Sequence, residues 1–158
     1  MSLQVRAHRS SLSLLLVLVG LLLSPRAAFA GPWLTSYSDA QAQAKQKDKP
    51  LLIVFAGEGW CPGCIAMEKD IFSRPKFLKY ADSNLVLMKV NCHNGKPWPK
   101  AGPAGTNLVP SCFLLGPGGK IWAKRIGYGG KGTPDGFIKW LTSREEIHEK
   151  GGSPASAH

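Results

Sequence analysis

Cysteine is scarce in this chain, four in 158 residues, too few for a small scaffold held together by disulfides. Acidic residues are scarce as well. Asp and Glu total 10 against 20 Lys and Arg, a formal charge of +10 that suggests an anionic partner or surface. The basic residues are nevertheless dispersed. Their densest group, Lys45, Lys47 and Lys49, reads as the end of a solvated helix, and without clustering or interleaved aromatics no nucleic-acid partner is expected. The longest apolar run, Leu12 to Leu23, falls short of the roughly 20 residues that cross a bilayer as a helix. What is present is enough for a core: 44% hydrophobic and 19% charged residues argue against wholesale disorder, and the length suits one ordinary domain.

The first residues separate from the rest. Arg6 and Arg9 precede the Leu12–Leu23 run, which is followed by Ser24-Pro25 and by Ala28-Phe29-Ala30. Basic, apolar, then small-x-small is the layout of a secretory signal, with cleavage expected after Ala30. The alternative is an uncleaved anchor. Cleavage leaves all four cysteines in a periplasmic or secreted protein without stable membrane insertion, where disulfide chemistry is possible. The expected organisation is a signal peptide over 1–30, one domain over 31–150 and a disordered Gly/Ser/Pro/Ala tail over 151–158.

Within the domain, Ser36 to Lys47 reads as a helix with Tyr37, Ala40 and Ala44 on one face. Leu51 to Ala56 is a continuous apolar run between Pro50 and Gly57, the signature of a strand buried on both faces. A helix is expected from Cys61-Pro62 to about Phe72, since proline suits a first helical turn, and another from Pro75 through Tyr80. Leu85 to Val90 reads as a second buried strand, joined to the first by a helical connection long enough for parallel pairing. Gly and Pro recur between 92 and 109, an irregular loop. Cys112–Leu115 and Lys120–Arg125 form a hairpin around Gly116-Pro117-Gly118-Gly119. Gly127 to Gly132 reads as flexible, and Thr133-Pro134-Asp135 opens a last helix with Phe137, Ile138, Trp140 and Leu141 inward. The order predicts one α/β domain, a central mixed sheet flanked by helices.

The sharpest feature is Trp60-Cys61-Pro62-Gly63-Cys64. Two cysteines spaced C-x-x-C at a strand-to-helix junction have a specific use. Unpaired N–H groups and the positive dipole end of the helix stabilise a thiolate at Cys61. Cys64 lies one turn on, close enough to resolve a mixed disulfide and form an intramolecular Cys61–Cys64 bond. A purely structural disulfide, or zinc held by Cys61, Cys64, Cys92 and His93, are the alternatives. Trp60 follows the end of the strand and is expected as a surface aromatic beside Cys61. Trp98 is left between a partner-facing and a packed position. His93, next to Cys92, is expected in solvent, and His93, His148 and His158 show no ligand spacing.

This motif after Leu51–Phe55, with a proline inside Leu108-Val109-Pro110-Ser111-Cys112-Phe113-Leu114, resembles the thioredoxin superfamily. The run Cys61-x-x-Cys64-x-x-Met67-Glu68-x-x-x-Phe72 behind Lys49-Pro50 is similar to secreted thioredoxin-like proteins, among them the C-terminal domain of the bacterial thiol:disulfide interchange protein. The resemblance implies a thioredoxin fold over about 34–148 and protein thiol–disulfide oxidoreductase activity. It also implies a cis Val109–Pro110 bond beside the cysteines, with the backbone at Val109 and Pro110 pairing with an extended substrate. No organic cofactor or metal is expected. The partners are substrate proteins with disulfides or dithiols and an upstream redox partner that resets the cysteines, with reduction slightly favoured. A non-catalytic binding module with a permanently oxidised pair is the alternative. Departures from the family pattern are Pro62-Gly63 in place of Gly-Pro, Val54 in place of a buried aspartate, and the 92–109 loop in place of a helix.

Two further expectations concern single residues. Cys64, Ile65, Glu68, Ile71 and Phe72 share a helical face, which would put the Glu68 carboxylate inside an apolar stripe. There it could take the proton from Cys64; the alternative is a Glu68 turned outward to pair with a lysine. On the topology the resemblance implies, Cys92 follows one neighbour of the central strand and Cys112 begins the other. Two strand spacings, about 9.6 Å, exceed the roughly 7 Å Cα limit for a bridge, so two free or semi-buried thiols are expected ahead of a second disulfide.

Overall fold

A computed structural model of the chain describes residues 33–94, 98–129 and 132–149. The signal peptide over 1–30, the cleavage point before Gly31, the tail over 151–158 and its His158 lie outside the described residues, as do Gly95, Pro97 and Gly130 of the loops. Among the described residues, no helix is long and apolar enough to cross a membrane.

The first helix, α1 (Tyr37–Lys47), begins where the Ser36 hydroxyl accepts from the Asp39 N–H, and stops at Asp48, which takes φ 50°. Its small side chains Ala40 and Ala44 are fully enclosed. β1 (Leu51–Ala56) is buried along its whole length. The sheet order is β2-β1-β3-β4. β2 (Val86–Asn91) runs parallel to β1, β3 (Ser111–Leu115) antiparallel to it, and β4 (Ile121–Ile126) closes the hairpin with β3. This is the mixed sheet expected from the element order. At the outer edge of β2, Leu34 adds a single parallel bridge to Met88.

Successive side chains of a strand point to opposite faces, so β1 serves two cores. Leu52, Val54 and Ala56 pack with Cys61, Cys64, Met67, Phe72, Phe77, Phe137 and Leu141. These come from α2 (Pro62–Met67), from the turn that continues it, from α3 (Pro75–Asn84) and from α4 (Pro134–Glu149). Phe72, Phe77 and Phe137 form an aromatic triangle with ring centroids 5.1, 5.5 and 5.9 Å apart. On the other face Leu51, Ile53 and Phe55 pack against Ala40 and Ala44 of α1 and against Cys92, Ala101 and Ala104 of the following loop.

The helix expected over 61–72 is not uniform. After Met67 it widens into one π-helical turn, Glu68–Phe72. The cause lies just beyond it. The Ser73 N–H and hydroxyl both converge on the Glu68 carbonyl, at 2.9 and 2.8 Å, and Pro75 holds Arg74 in an extended conformation with ψ 136°. The inward face also differs from the predicted one. Cys64, Met67, Ile71 and Phe72 are enclosed, whereas Ile65 is 54% exposed. The predicted stripe containing Ile65 and Glu68 is therefore corrected: Met67 takes the inward position, and Glu68 lies at the margin.

Candidate active site

β1 ends at Ala56, and Gly57 to Trp60 turn the chain over the sheet's end into α2. Cys61 caps that helix from an extended conformation (φ −101°, ψ 103°), and its Sγ accepts from the Cys64 N–H at 3.2 Å. Pro62 follows in the first turn, where a missing N–H removes no intrahelical bond. Cys61 and Cys64 are joined by a disulfide with their Cα atoms 5.3 Å apart. The Cys64 Sγ receives the Gly57 N–H at 3.3 Å. Both sulfurs are directed at backbone N–H donors, an arrangement that stabilises negative charge on sulfur once the bond is opened. The two residues are almost equally enclosed, 6% and 7% exposed. Position at the helix cap, rather than exposure, distinguishes Cys61.

The Val109–Pro110 bond is cis. A Cβ placed on Gly63 would lie 3.4 Å from Pro110 Cδ, so the proline abuts the first turn of α2. The Pro110 carbonyl accepts from the Gly127 N–H at 2.8 Å. The exposed large apolar side chains among the described residues are Trp60, Ile65, Leu108 and Ile126. Trp60 is anchored through its indole. Its indole N–H donates to the Cys92 carbonyl at 3.0 Å, its ring lies directly over Gly57, and the Trp98 ring is 6.4 Å away. Trp98 packs partly on the second core.

Glu68 pairs with Lys89 of β2 at 2.8 Å. Both residues line a cleft of about 720 Å³ that Cys64 also lines. The Lys89 ammonium also stands 4.7 Å over the Trp33 ring. Val54 has Lys89 and Cys112 as its strand neighbours. The lysine is thus one strand away from the valine that departs from the family pattern. Lys89 was missed in the sequence, although one charge inside the otherwise apolar run 85–90 was the available signal. Asp70 of the wide turn accepts from the Tyr128 hydroxyl at 2.8 Å, a contact between distant segments that no spacing rule announces.

Cys92 and Cys112 are both buried and unbonded. Distance is not their only barrier: Cys112 belongs to the core under the disulfide and Cys92 to the core on the opposite face. Burial pushes the Cys112 thiol up to about 12, with nearby Arg125 acting weakly in the other direction, and also raises that of Cys92. His93 is exposed. Among the described residues, no three His, Cys, Asp or Glu side chains are grouped to hold a metal ion.

A family model described as thioredoxin-like matches residues 32–117. The chain is 29% identical over 65 residues to the thioredoxin-related protein DsbJ of Chlamydia pneumoniae, covering 41% of this chain and 19% of that protein. It is 34% identical over 56 residues to the disulfide bond reductase DsbH of the same organism, covering 35% and 34%. The matches thus span about a fifth and about a third of the length of these relatives. Among solved structures, a DsbH oxidoreductase superposes with a TM-score of 0.62 at 24% identity, over 78% of this chain and 91% of that one. The reduced C-terminal domain of DsbD from Neisseria meningitidis gives 0.50 at 19% identity, over 68% and 92%. With the C-x-x-C pair capping α2 against a cis proline, the chain belongs to the thioredoxin-like family.

Proposed function

We propose that this protein is a thiol–disulfide oxidoreductase that reduces protein disulfides outside the cytoplasm, after cleavage of residues 1–30. The observation that carries the reading is the Cys61–Cys64 disulfide at the cap of α2, directly beside cis Pro110. The name of one relative, a disulfide bond reductase, favours the reductive direction.

In that direction the Cys61 thiolate attacks one sulfur of a substrate disulfide. The substrate S–S bond breaks, a mixed disulfide forms, and the departing sulfur takes a proton. Cys64 then loses its proton and attacks Cys61, so the Cys61–Cys64 bond forms and the second substrate thiol leaves. Two electrons pass to the substrate, and an upstream dithiol donor must restore the pair. Glu68 shares a cleft with Cys64 and is the base we assign to the second step. Trp60, Val109 and Pro110 border the groove in which an extended substrate lies, with the backbone at 109–110 pairing to its main chain. The domain extends over 31–150, and exported protein should begin at Gly31 on N-terminal sequencing.

The decisive test is trapping. Cys64→Ser should accumulate mixed disulfides with substrate proteins through Cys61, and Cys61→Ser should trap nothing and reduce no insulin. Insulin reduction by Cys61→Ser would reject the assignment. Equilibration with glutathione buffers gives the direction, a potential well below about −200 mV marking a reductant. A pair that excess dithiothreitol also leaves closed would fit a permanently oxidised binding module instead. Glu68→Gln should slow resolution of the mixed disulfide on the order of a hundredfold, and more than it slows the first attack, in stopped-flow exchange from pH 6 to 9. Equal slowing of both steps would remove the base from the scheme.

A further inference from the structure

The cleft of about 720 Å³ beside the disulfide falls within the roughly 300–1,000 Å³ range of small-molecule sites. It is separate from the surface at the cis proline. Pro110 abuts the first turn of α2 at Gly63, and neither Val109 nor Pro110 lines the cleft, which runs from Glu58 past Cys64 and Ile65 to Lys69 and Arg74. Of the two bonded cysteines, only Cys64 borders it.

The charges in this cleft are unevenly engaged. Glu68 is paired with Lys89 at 2.8 Å. Glu58 is held by the Asn91 side-chain amide at 2.7 Å, a neutral partner that fixes the carboxylate and leaves its charge. Lys69 and Arg74 are exposed, and among the described residues neither pairs with a carboxylate. The cleft thus presents a fixed acid on the turn before α2, two uncommitted cations beyond α2, and a disulfide-bonded cysteine with the exposed Ile65 between them. The complementary ligand carries an ammonium, carboxylates and a sulfur on a short chain.

We propose that this cleft binds a low-molecular-weight amino-acid thiol, its carboxylates at Lys69 and Arg74 and its ammonium at Glu58, and that the bound thiolate reduces the Cys61–Cys64 bond by attacking Cys64. The inference rests on the oxidoreductase reading and gives the pair a second source of electrons beside a dithiol donor. In the first step the ligand sulfur bonds to the Cys64 Sγ, the Cys61–Cys64 bond breaks, and Cys61 departs as a thiolate. Cys61 suits the leaving position, because its Sγ already accepts the Cys64 N–H at 3.2 Å and a stabilised thiolate leaves faster. A second ligand thiolate then attacks the ligand sulfur of the mixed disulfide, and Cys64 leaves and takes a proton from solvent. Two electrons reach the protein, and one small disulfide is released.

The test opens the disulfide of the protein with glutathione, which has this charge pattern, and with neutral 2-mercaptoethanol, at equal thiolate concentration. Acid quench, alkylation and mass spectrometry read the rates. Glutathione should be faster. The Lys69→Ala/Arg74→Ala double variant should lower the glutathione/2-mercaptoethanol ratio about threefold to tenfold, the range of two exposed charge contacts. Lys69→Arg/Arg74→Lys, which keeps both charges, should preserve the ratio. So should Lys45→Ala/Lys47→Ala, which removes the same charge from α1. A loosened fold would speed both thiols alike and leave the ratio unmoved. Peptide mapping during opening should find glutathione on Cys64 and the alkyl group on Cys61. A parent without preference, an unchanged ratio in the cleft double variant, an equal fall in the α1 or the charge-preserving variant, or glutathione on Cys61 alone would each overturn the inference. Each would leave the oxidoreductase reading intact as long as dithiothreitol opens the pair. A pair that dithiothreitol leaves closed would overturn both.

Discussion

Cys61 and Cys64 lie where β1 gives way to α2, one helical turn apart and bonded, whereas Cys92 directly follows β2 and Cys112 is the second residue of β3, on opposite faces of the sheet, and both carry free thiols. Accessibility does not separate the pairs sharply, because all four residues are buried. Backbone position does. The first pair faces N–H donors at a helix start, while the second is surrounded by apolar side chains that favour the neutral thiol. The difference teaches that reactivity here is assigned by where a strand stops, and that two thiols of the same chain are silenced by enclosure.

The most direct way to break this comparison is thiol labelling. After mild reduction Cys61 should alkylate readily, while Cys92 and Cys112 should react at least about a thousandfold more slowly, since reaching them requires opening the fold. Peptide mapping of labelled protein reads this, and rapid labelling of Cys92 would erase the distinction. Next in size is the packing that encloses Cys112. Phe77→Ala removes one corner of the aromatic triangle and should lower stability by about 3–5 kcal/mol, measured by urea unfolding, with faster labelling of Cys112 as a second readout.

The silenced thiol should also leave a signature in alkali. The folded-state value for Cys112 is raised from 9.0 to about 12. The unfolded chain therefore loses its proton first, and the stabilisation, fully present below pH 9, is lost as pH rises towards 12. Its contribution to the slope reaches about 1.4 kcal/mol per pH unit. Urea midpoints of Cys112→Ala should fall less steeply above pH 9 than those of the parent, and parallel curves would contradict the burial account. The smallest effect concerns the margin of the site. Lys89→Ala should cost no more than about 1 kcal/mol, because its Glu68 partner is 42% exposed and solvent screens the pair. A much larger loss would mean that the Trp33 contact carries weight of its own.

The fold was legible wherever a local rule dominated. The unbroken apolar run 51–56 could only be a strand enclosed on both faces, Ser36 and Thr133 marked helix starts, and the glycines at 116–119 marked the hairpin. Elements at the site were legible in part. The spacing and placement of Cys61 and Cys64 announced redox chemistry, and the cis bond at Pro110 followed from family likeness rather than from composition. What escaped was non-local. The wide turn at 68–72 depends on Ser73 bonding back to Glu68, and a register read at 3.6 residues per turn cannot foresee it. Lys89 reaching Glu68, Tyr128 reaching Asp70 and Trp60 reaching the Cys92 carbonyl join segments whose approach is set only by the folded chain. The separation of Cys92 and Cys112 was expected from strand spacing, but their placement on opposite faces required the register.

The indole of Trp60 occupies the space in which any side chain at position 57 would have to stand. That makes the two positions a single unit in descent. A lineage that first replaces Trp60 by a smaller residue frees position 57 to vary, whereas one that first acquires a side chain at 57 displaces the ring from the rim of the disulfide. Substitutions at the two positions are therefore coupled, each changing what the other can hold.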